Sequence, residues 1–363
     1  MACKRTATLA CFVASLLIVA DAAARPLNVV NFGGANRTAQ ITAWIQPFSQ
    51  QSRTPVNSVE YTGDMASIVK MVHDHEVTWD VVELESADLA PACDSGLLEH
   101  IDSRELANSS RLLPNAVHEC GVGAFVWSTV LAFDGNRLKG GPRNWADFWD
   151  TARFPGKRGL RKGPRYNLEL ALMADGVPRE DVYEVLATEQ GVTRALRKLE
   201  ELKPIIVWWS AGAEPPALLN SGRVAMTTAF NGRVAAANRD PASNLEIVWS
   251  GALYEMDYWV IVKGSPQRDQ ALRFINFVTS ESAQLDFSRE IPYGPTNFDA
   301  ILRQERLSKA AVGDANRALI DLSMMTSDLP SAPVNMRHAL AFSPNFWASH
   351  GASIEKRFKE MFP

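Results

Sequence analysis

The sequence predicts an α/β protein folded as two lobes around a cleft. Three observations carry this. Short apolar runs alternate with amphipathic helical stretches at the spacing of parallel α/β units. The strand candidates are continuously apolar, as strands buried on both faces are. Two of the runs, Phe125–Phe133 and Met256–Val262, stand where a chain would cross from one lobe to the other and back. The 363 residues suffice for two domains.

The elements follow in order. LNVVNF (27–32) is a buried strand that runs into the turn Gly33-Gly34. Residues 38–49 place Ile41, Trp44, Ile45 and Phe48 at helical spacing. Residues 56–61 are the next strand, and 64–75 a helix with Met65, Ile68, Val69 and Val72 on one face. Residues 79–84 are a third strand. Beyond the first crossing, 145–149, 168–174 and 179–203 read as helix. Residues 205–209, 224–230 and 245–249 read as strands, and 214–221 as a short helix. Residues 256–262 return the chain, 268–278 are amphipathic helix, and the stretch from about 299 is mostly helical. The expected organisation is residues 25–132 plus 256–298 in one lobe and 133–255 plus 299–363 in the other.

Composition narrows the function. Lys plus Arg number 37 against 41 Asp plus Glu, a net charge of -4, and nothing suggests a polybasic groove for nucleic acid. Lys4 and Arg5 precede an apolar stretch, residues 8–20, and then Asp21-Ala22-Ala23-Ala24. This is the layout of a signal peptide (residues 1–24) cut before Arg25, its apolar part well short of the roughly 20 residues that span a bilayer. A soluble product outside the cytoplasmic membrane is expected. Cys93 and Cys120 remain after cleavage, in P-A-C-D-S-G and H-E-C-G-V-G contexts that read as two turns able to meet. A disulfide or two buried thiols are both open.

Ligands of open α/β sheets lie beyond the carboxyl ends of strands, so the loops there supply the candidates. After the first strand come Phe32, Gly34 and Arg37, where glycine lets backbone N–H groups approach a guest. Asp64 follows the second strand and is a helix cap before it is a ligand contact. Of Glu83 and Glu85, one is expected to face the cleft and the other solvent. Of Trp208 and Trp209, one is expected in the core and the other, Trp209 among the candidates, at the cleft. Arg233 follows a second-lobe strand. Near the return crossing, Asp257 beside aromatic residues suits an amine. Tyr293 is a further candidate. No HExxH, GxSxG, P-loop or CxxC motif occurs, and the six histidines have no metal-binding spacing. No catalytic residue, metal or cofactor is expected.

Several segments, in this order, carry a family resemblance: L-N-V-V-N-F-G-G, W-D-V-V (79–82), D-S-G-L-L-E-H-I-D (94–102), N-W-A-D-F-W-D (144–150), F-P-G-K-R-G-L (154–160), L-N-S-G-R-V-A-M, M-D-Y-W-V-I-V-K-G-S-P and I-P-Y-G-P-T-N. The chain resembles the periplasmic solute-binding proteins of bacterial ABC transporters, in their spermidine/putrescine-binding branch. The resemblance implies the two-lobed periplasmic binding protein type II fold with a hinged interlobe ligand cleft. It implies a periplasmic monomer that catalyses nothing and delivers a solute to a membrane permease driven by a cytoplasmic ATPase. It also implies Phe32 against a methylene chain and Asp257 and Tyr293 on the solute. A polyamine-like cation is then the expected ligand.

The chain departs from that pattern. Ala35 and Glu255 replace expected aromatics, and K-G-P-R-Y (162–166) stands where the branch has acids. Basic residues there repel an ammonium. Glu255 and Glu85 would compensate, and Arg37, Arg165 or Arg233 would hold a carboxylate. An amino acid, another zwitterion or an organic carboxylate is therefore the alternative ligand, and a secreted enzyme the alternative class.

Overall fold

The computed structural model describes residues 25–311 and 328–363; the signal-peptide expectation for residues 1–24 lies outside them. No helix among the described residues is long and apolar enough to cross a membrane.

Strand β1 (Leu27–Phe32) pairs in parallel with β2 (Val56–Tyr61) and with β3 (Val81–Glu85). The hairpin-like β4 (Val117–His118) leads into β5 (Gly121–Asp134), which is buried along its whole length. On the other side, β6 (Arg158–Arg161) lies parallel to both β7 (Ile206–Trp209) and β8 (Met226–Phe230). Strand β9 (Leu245–Ile261) runs antiparallel to β5 and reaches β3, while β5 reaches β8. The short β10 (Leu340–Ala341) adds to β9. The sheet order is thus β2-β1-β3-β9-β5-β8-β6-β7, with two long central strands shared by both halves.

The sequence reads β9 as two strands, 245–249 and 256–262; the structure joins them. Across Thr129 and Leu131 the partner on β9 jumps from Leu253 to Val248, so extra residues are absorbed in a bulge. Gly251 sits in that bulge at φ 74°, a left-handed conformation suited to glycine. The Trp145 indole donates to its carbonyl at 2.8 Å.

Helix α1 begins at Ala35–Gln40, passes a π turn at Ile41–Ile45 and ends at Gln46–Ser52. Its Trp44 stacks on Phe287 at 4.0 Å between centroids and meets Trp259 edge-on. Helices α2 (Met65–His73) and α3 (Ser86–Asp94) complete the β1–β3 half. In the β6–β8 half, α4 (Asn167–Ala174) is buried on most sides. Helix α5 (Glu189–Glu200) is capped by Thr188, which accepts from Gly191 N at 3.0 Å. It buries Val192, Ala195, Leu196 and Leu199 at helical spacing, each Leu worth about 1.5–3 kcal/mol. Helix α6 (Asn231–Ala237) follows β8 directly.

Helices α7 (Arg268–Val278) and α8 (Glu281–Glu290) return the chain to the first half. Helix α9 (Phe298–Ala311) stays there, packed on α8. Helix α10 (Pro344–Met361) touches α3 of one half and α5 of the other. Cys93 and Cys120 are joined in a disulfide that ties α3 to the start of β5.

Candidate ligand-binding site

The two halves meet over a cavity of about 80 Å³ lined from both sides. From the β1–β3 half come the glycine turn after β1, the ends of β2 and β3, and Asp257 of β9. From the other half come Arg161 at the end of β6, the loop 210–213 after β7, and Phe230 and Arg233 around the β8–α6 junction. Most contributing loops follow the carboxyl ends of parallel strands, as in open α/β sheets, while Phe125, Trp127 and Asp257 come from within β5 and β9 and Tyr293 from the loop after Glu290.

Three acidic side chains share one face of the sheet. Glu83 and Glu85 are two apart on β3 and so point the same way. Asp257 stands directly opposite Glu85 in the antiparallel pairing. The expectation that one of Glu83 and Glu85 faces solvent is corrected: both are buried and both line the cavity. A period of two leaves no other choice.

Glu83 is held from beneath by α1. Asn36 Nδ2 donates to it at 2.8 and 3.1 Å, and Gln40 Nε2 at 2.7 Å. Asn36 and Gln40 are one helical turn apart, which puts both amides on the same carboxylate. Asp257 accepts from the Trp127 indole at 2.7 Å. Burial, and then the charges of Glu83, Glu85 and Glu255, push the Asp257 carboxyl well above the usual range. Its hydrogen bond to Glu83 runs in the same direction, with Asp257 as the donor. Burial raises Glu83 as well, opposed by the hydrogen bonds it accepts from Asp257, Gln40 and Asn36.

Two arginines answer these acids. Arg161 Nη1 forms an ion pair with Glu85 Oε1 at 2.8 Å, its guanidinium lying over the rings of Tyr166 and Phe230. Arg233 is buried, and its Nε and Nη1 have no hydrogen-bond partner in the protein. A buried guanidinium with open donors costs free energy until an acceptor arrives. Gly34, at φ 65°, makes room for it: a Cβ there would come within 2.9 Å of Arg233 Nη1.

Of the sequence-predicted residues, Phe32, Gly34, Glu85, Arg233, Asp257 and Tyr293 line the cavity. Five others lie elsewhere. Arg37 is turned to β2, donating to Ser58 Oγ and the Ser58 carbonyl, each at 2.9 Å. Asp64 caps α2 through Ala66 N at 3.0 Å. Arg165 is engaged by Asp88. Trp209 is packed in the core against Phe230, and Trp208 against Phe358 and Phe362, so neither reaches the cleft. Glu255 is two residues before Asp257 but is consumed by Ser86 and Tyr166.

Sequence reading missed Trp127, Phe230 and Arg161. Trp127 and Phe230 looked like interior strand residues. Arg161 ends a four-residue strand, and the rule of strand ends would have found it.

The family described as Bacterial extracellular solute-binding protein matches residues 43–312. The γ-aminobutyric acid-binding protein of Pseudomonas aeruginosa is 44% identical over 339 residues, covering 93% of this chain and 91% of that protein. The solved structure of MotA from Agrobacterium tumefaciens B6 with glucopine has a TM-score of 0.83 at 29% identity, covering 93% and 99% of the two chains. That of the Atu4243-GABA receptor has a TM-score of 0.77 at 30% identity, covering 93% and 97%.

Proposed function

Because the chain belongs to the bacterial extracellular solute-binding protein family, we propose that it captures a small zwitterion of the γ-aminobutyric acid type for an ABC importer. The family binds its solutes without turning them over and passes them to a permease. Within it, the finer question is the solute.

One observation carries the amino-acid reading over the polyamine one. Arg233 presents unpaired N–H groups to the same cavity that holds Glu83, Glu85 and Asp257. A diamine has nothing to offer that buried guanidinium, and it would also meet Arg161 at the end of β6. A carboxylate satisfies it in a forked, charge-assisted contact. The ammonium end then goes to the acids, with aromatic faces of Phe32, Trp127 and Phe230 beside the carbon chain.

The cavity of about 80 Å³ is compact, which fits a short four-carbon solute better than spermidine and leaves the choice between amino acid and diamine to the charges. The likeness to γ-aminobutyric acid binders supports the amino acid.

The test is isothermal titration of the ligand-stripped protein with γ-aminobutyric acid and with putrescine. Saturable one-to-one binding of the amino acid, and none of the diamine at the same concentrations, is expected. The reverse order would return the polyamine reading.

A further inference from the structure

Beside the cavity, but outside it, a second set of contacts joins the two halves. Ser86 and Asp88 of the β3–α3 junction face Arg165 and Tyr166 of the β6–α4 junction. Arg165 donates to Asp88 through both nitrogens, Nη2 to Oδ1 at 2.9 Å and Nη1 to Oδ2 at 3.1 Å. Next to this pair, Glu255 of β9 bridges the halves with one carboxylate. Its Oε1 accepts from Ser86 N at 3.0 Å and Ser86 Oγ at 2.6 Å, and its Oε2 accepts from Tyr166 Oη at 2.6 Å. Tyr166 is held at φ 68°, a strained value for a residue with a bulky side chain.

None of Ser86, Asp88, Arg165, Tyr166 and Glu255 lines the cavity. A solute therefore gains nothing from them directly. They are satisfied only when the β3–α3 and β6–α4 junctions are together. Asp88 and Arg165 retain 23% and 29% of their side-chain exposure, so water can take over both partners when the halves part.

We propose that the Asp88–Arg165 fork, with the Ser86–Glu255–Tyr166 bridge, is a latch that sets how far the lobes close before any solute is bound. The proposal rests on solute capture between two moving lobes, and not on which solute is taken. If only the closed form binds, the apparent dissociation constant is the intrinsic one divided by the closed fraction. The latch thus scales affinity for every accepted solute by one factor and leaves the preference among solutes unchanged. Residues in the cavity change both.

The experiment compares the full mature protein with Asp88→Ala, Arg165→Ala and the exchanged pair Asp88→Arg with Arg165→Asp. Two readouts are taken: small-angle X-ray scattering without solute, and calorimetric affinity for γ-aminobutyric acid and a second accepted amino acid. Each single variant should enlarge the solute-free particle and weaken both solutes equally, roughly tenfold, the size of one charge-assisted contact. The exchanged pair should recover part of both effects. Glu255→Gln, which keeps the packing, should open the particle in the same direction.

Unchanged scattering in the single variants would overturn the latch. So would a change in the ratio of the two affinities. Should γ-aminobutyric acid fail to bind at all, the scattering still decides: opening supports the latch while the solute assignment falls.

Discussion

Asp257 stands opposite Glu85 in the β3–β9 ladder while its Oδ1 accepts a hydrogen bond from the Trp127 indole N–H at 2.7 Å. On its far side it pairs with Phe125 of β5. The residue thus sits where the two shared strands meet the first half, with carboxylates on one flank and aromatic rings on the other. Burial and the carboxylates beside it push its carboxyl well above the usual range, and it donates to Glu83. Three consequences of the site, and one of a buried carboxyl outside it, can be measured.

Among the described residues that line the cavity, Arg233 alone has two buried donor atoms without a partner. Arg233→Ala should weaken γ-aminobutyric acid at least roughly a hundredfold, the loss expected when a buried charge-assisted contact goes. Arg233→Lys should rescue little, since an ammonium cannot fork onto a carboxylate. Calorimetry checks both. An affinity within threefold of the parent, counted as about 0.7 kcal/mol, would remove Arg233 from the solute.

An arriving ammonium should expel the Asp257 proton. A free cleft that holds this proton and a filled cleft that does not make affinity rise as pH climbs toward the raised Asp257 range. Titrations at one pH in buffers of different ionisation heat should report release of about one proton per solute bound. Asp257→Asn should abolish the release and weaken binding. Identical heats in all buffers would show that no proton leaves.

Gly34→Ala places a methyl at φ 65° and 2.9 Å from Arg233 Nη1. At φ 65° and ψ -142°, outside the left-handed helical region, the backbone strain costs about 1–3 kcal/mol, and the guanidinium must shift as well. Affinity should fall more than thermal stability does. A variant that melts lower yet binds as the parent would show the glycine to be needed for the turn alone.

Glu169 lies away from the cavity. Its Oε1 accepts from Trp347 Nε1 at 2.7 Å and from Tyr183 Oη at 3.0 Å, fastening α4 to α10. Its Oε2 is buried without a partner. Burial pushes the carboxyl up to about 7, opposed by those hydrogen bonds, from an ordinary 4.5. The folded state therefore holds the proton more tightly than the unfolded chain. The resulting stability is full below pH 4.5 and is lost as pH rises through about 7. Urea unfolding at pH 5 and pH 8 should differ by on the order of 3 kcal/mol from this group. Glu169→Gln should remove that part of the slope. A slope equal to the parent's would sink the assignment.

Much of the fold was legible because its rules are local. Alternating apolar runs and helical periodicities marked β1, β2, β3, α2, α7 and the first crossing. The second crossing was cut in two because Gly251 and its neighbours look like a turn, and only pairing with β5 keeps them in one strand. Half of the candidate site was legible too. Phe32 and Glu85 end β1 and β3, Gly34 and Arg233 follow β1 and β8, and strand ends converge; Asp257, inside β9, was legible from its place beside the return crossing. Arg37, Asp64 and Arg165 also follow strands, yet each found a nearer partner in Ser58, a helix end or Asp88. Loop position offers a side chain to the cleft; competition among partners decides whether it goes.

By itself, then, the sequence determined the order of strands and helices, the crossing strands, and the residue types available at each strand end, since these depend on periodicity and spacing along the chain. The tertiary structure alone decided which charges meet. Glu83 and Glu85 face Asp257 because β9 runs antiparallel beside β3. Arg161 and Arg233 reach them only because a second half of the chain folds over the first. Such encounters bring residues far apart in the sequence within 3 Å or so, and Coulomb energy acts on that distance, which no local pattern records.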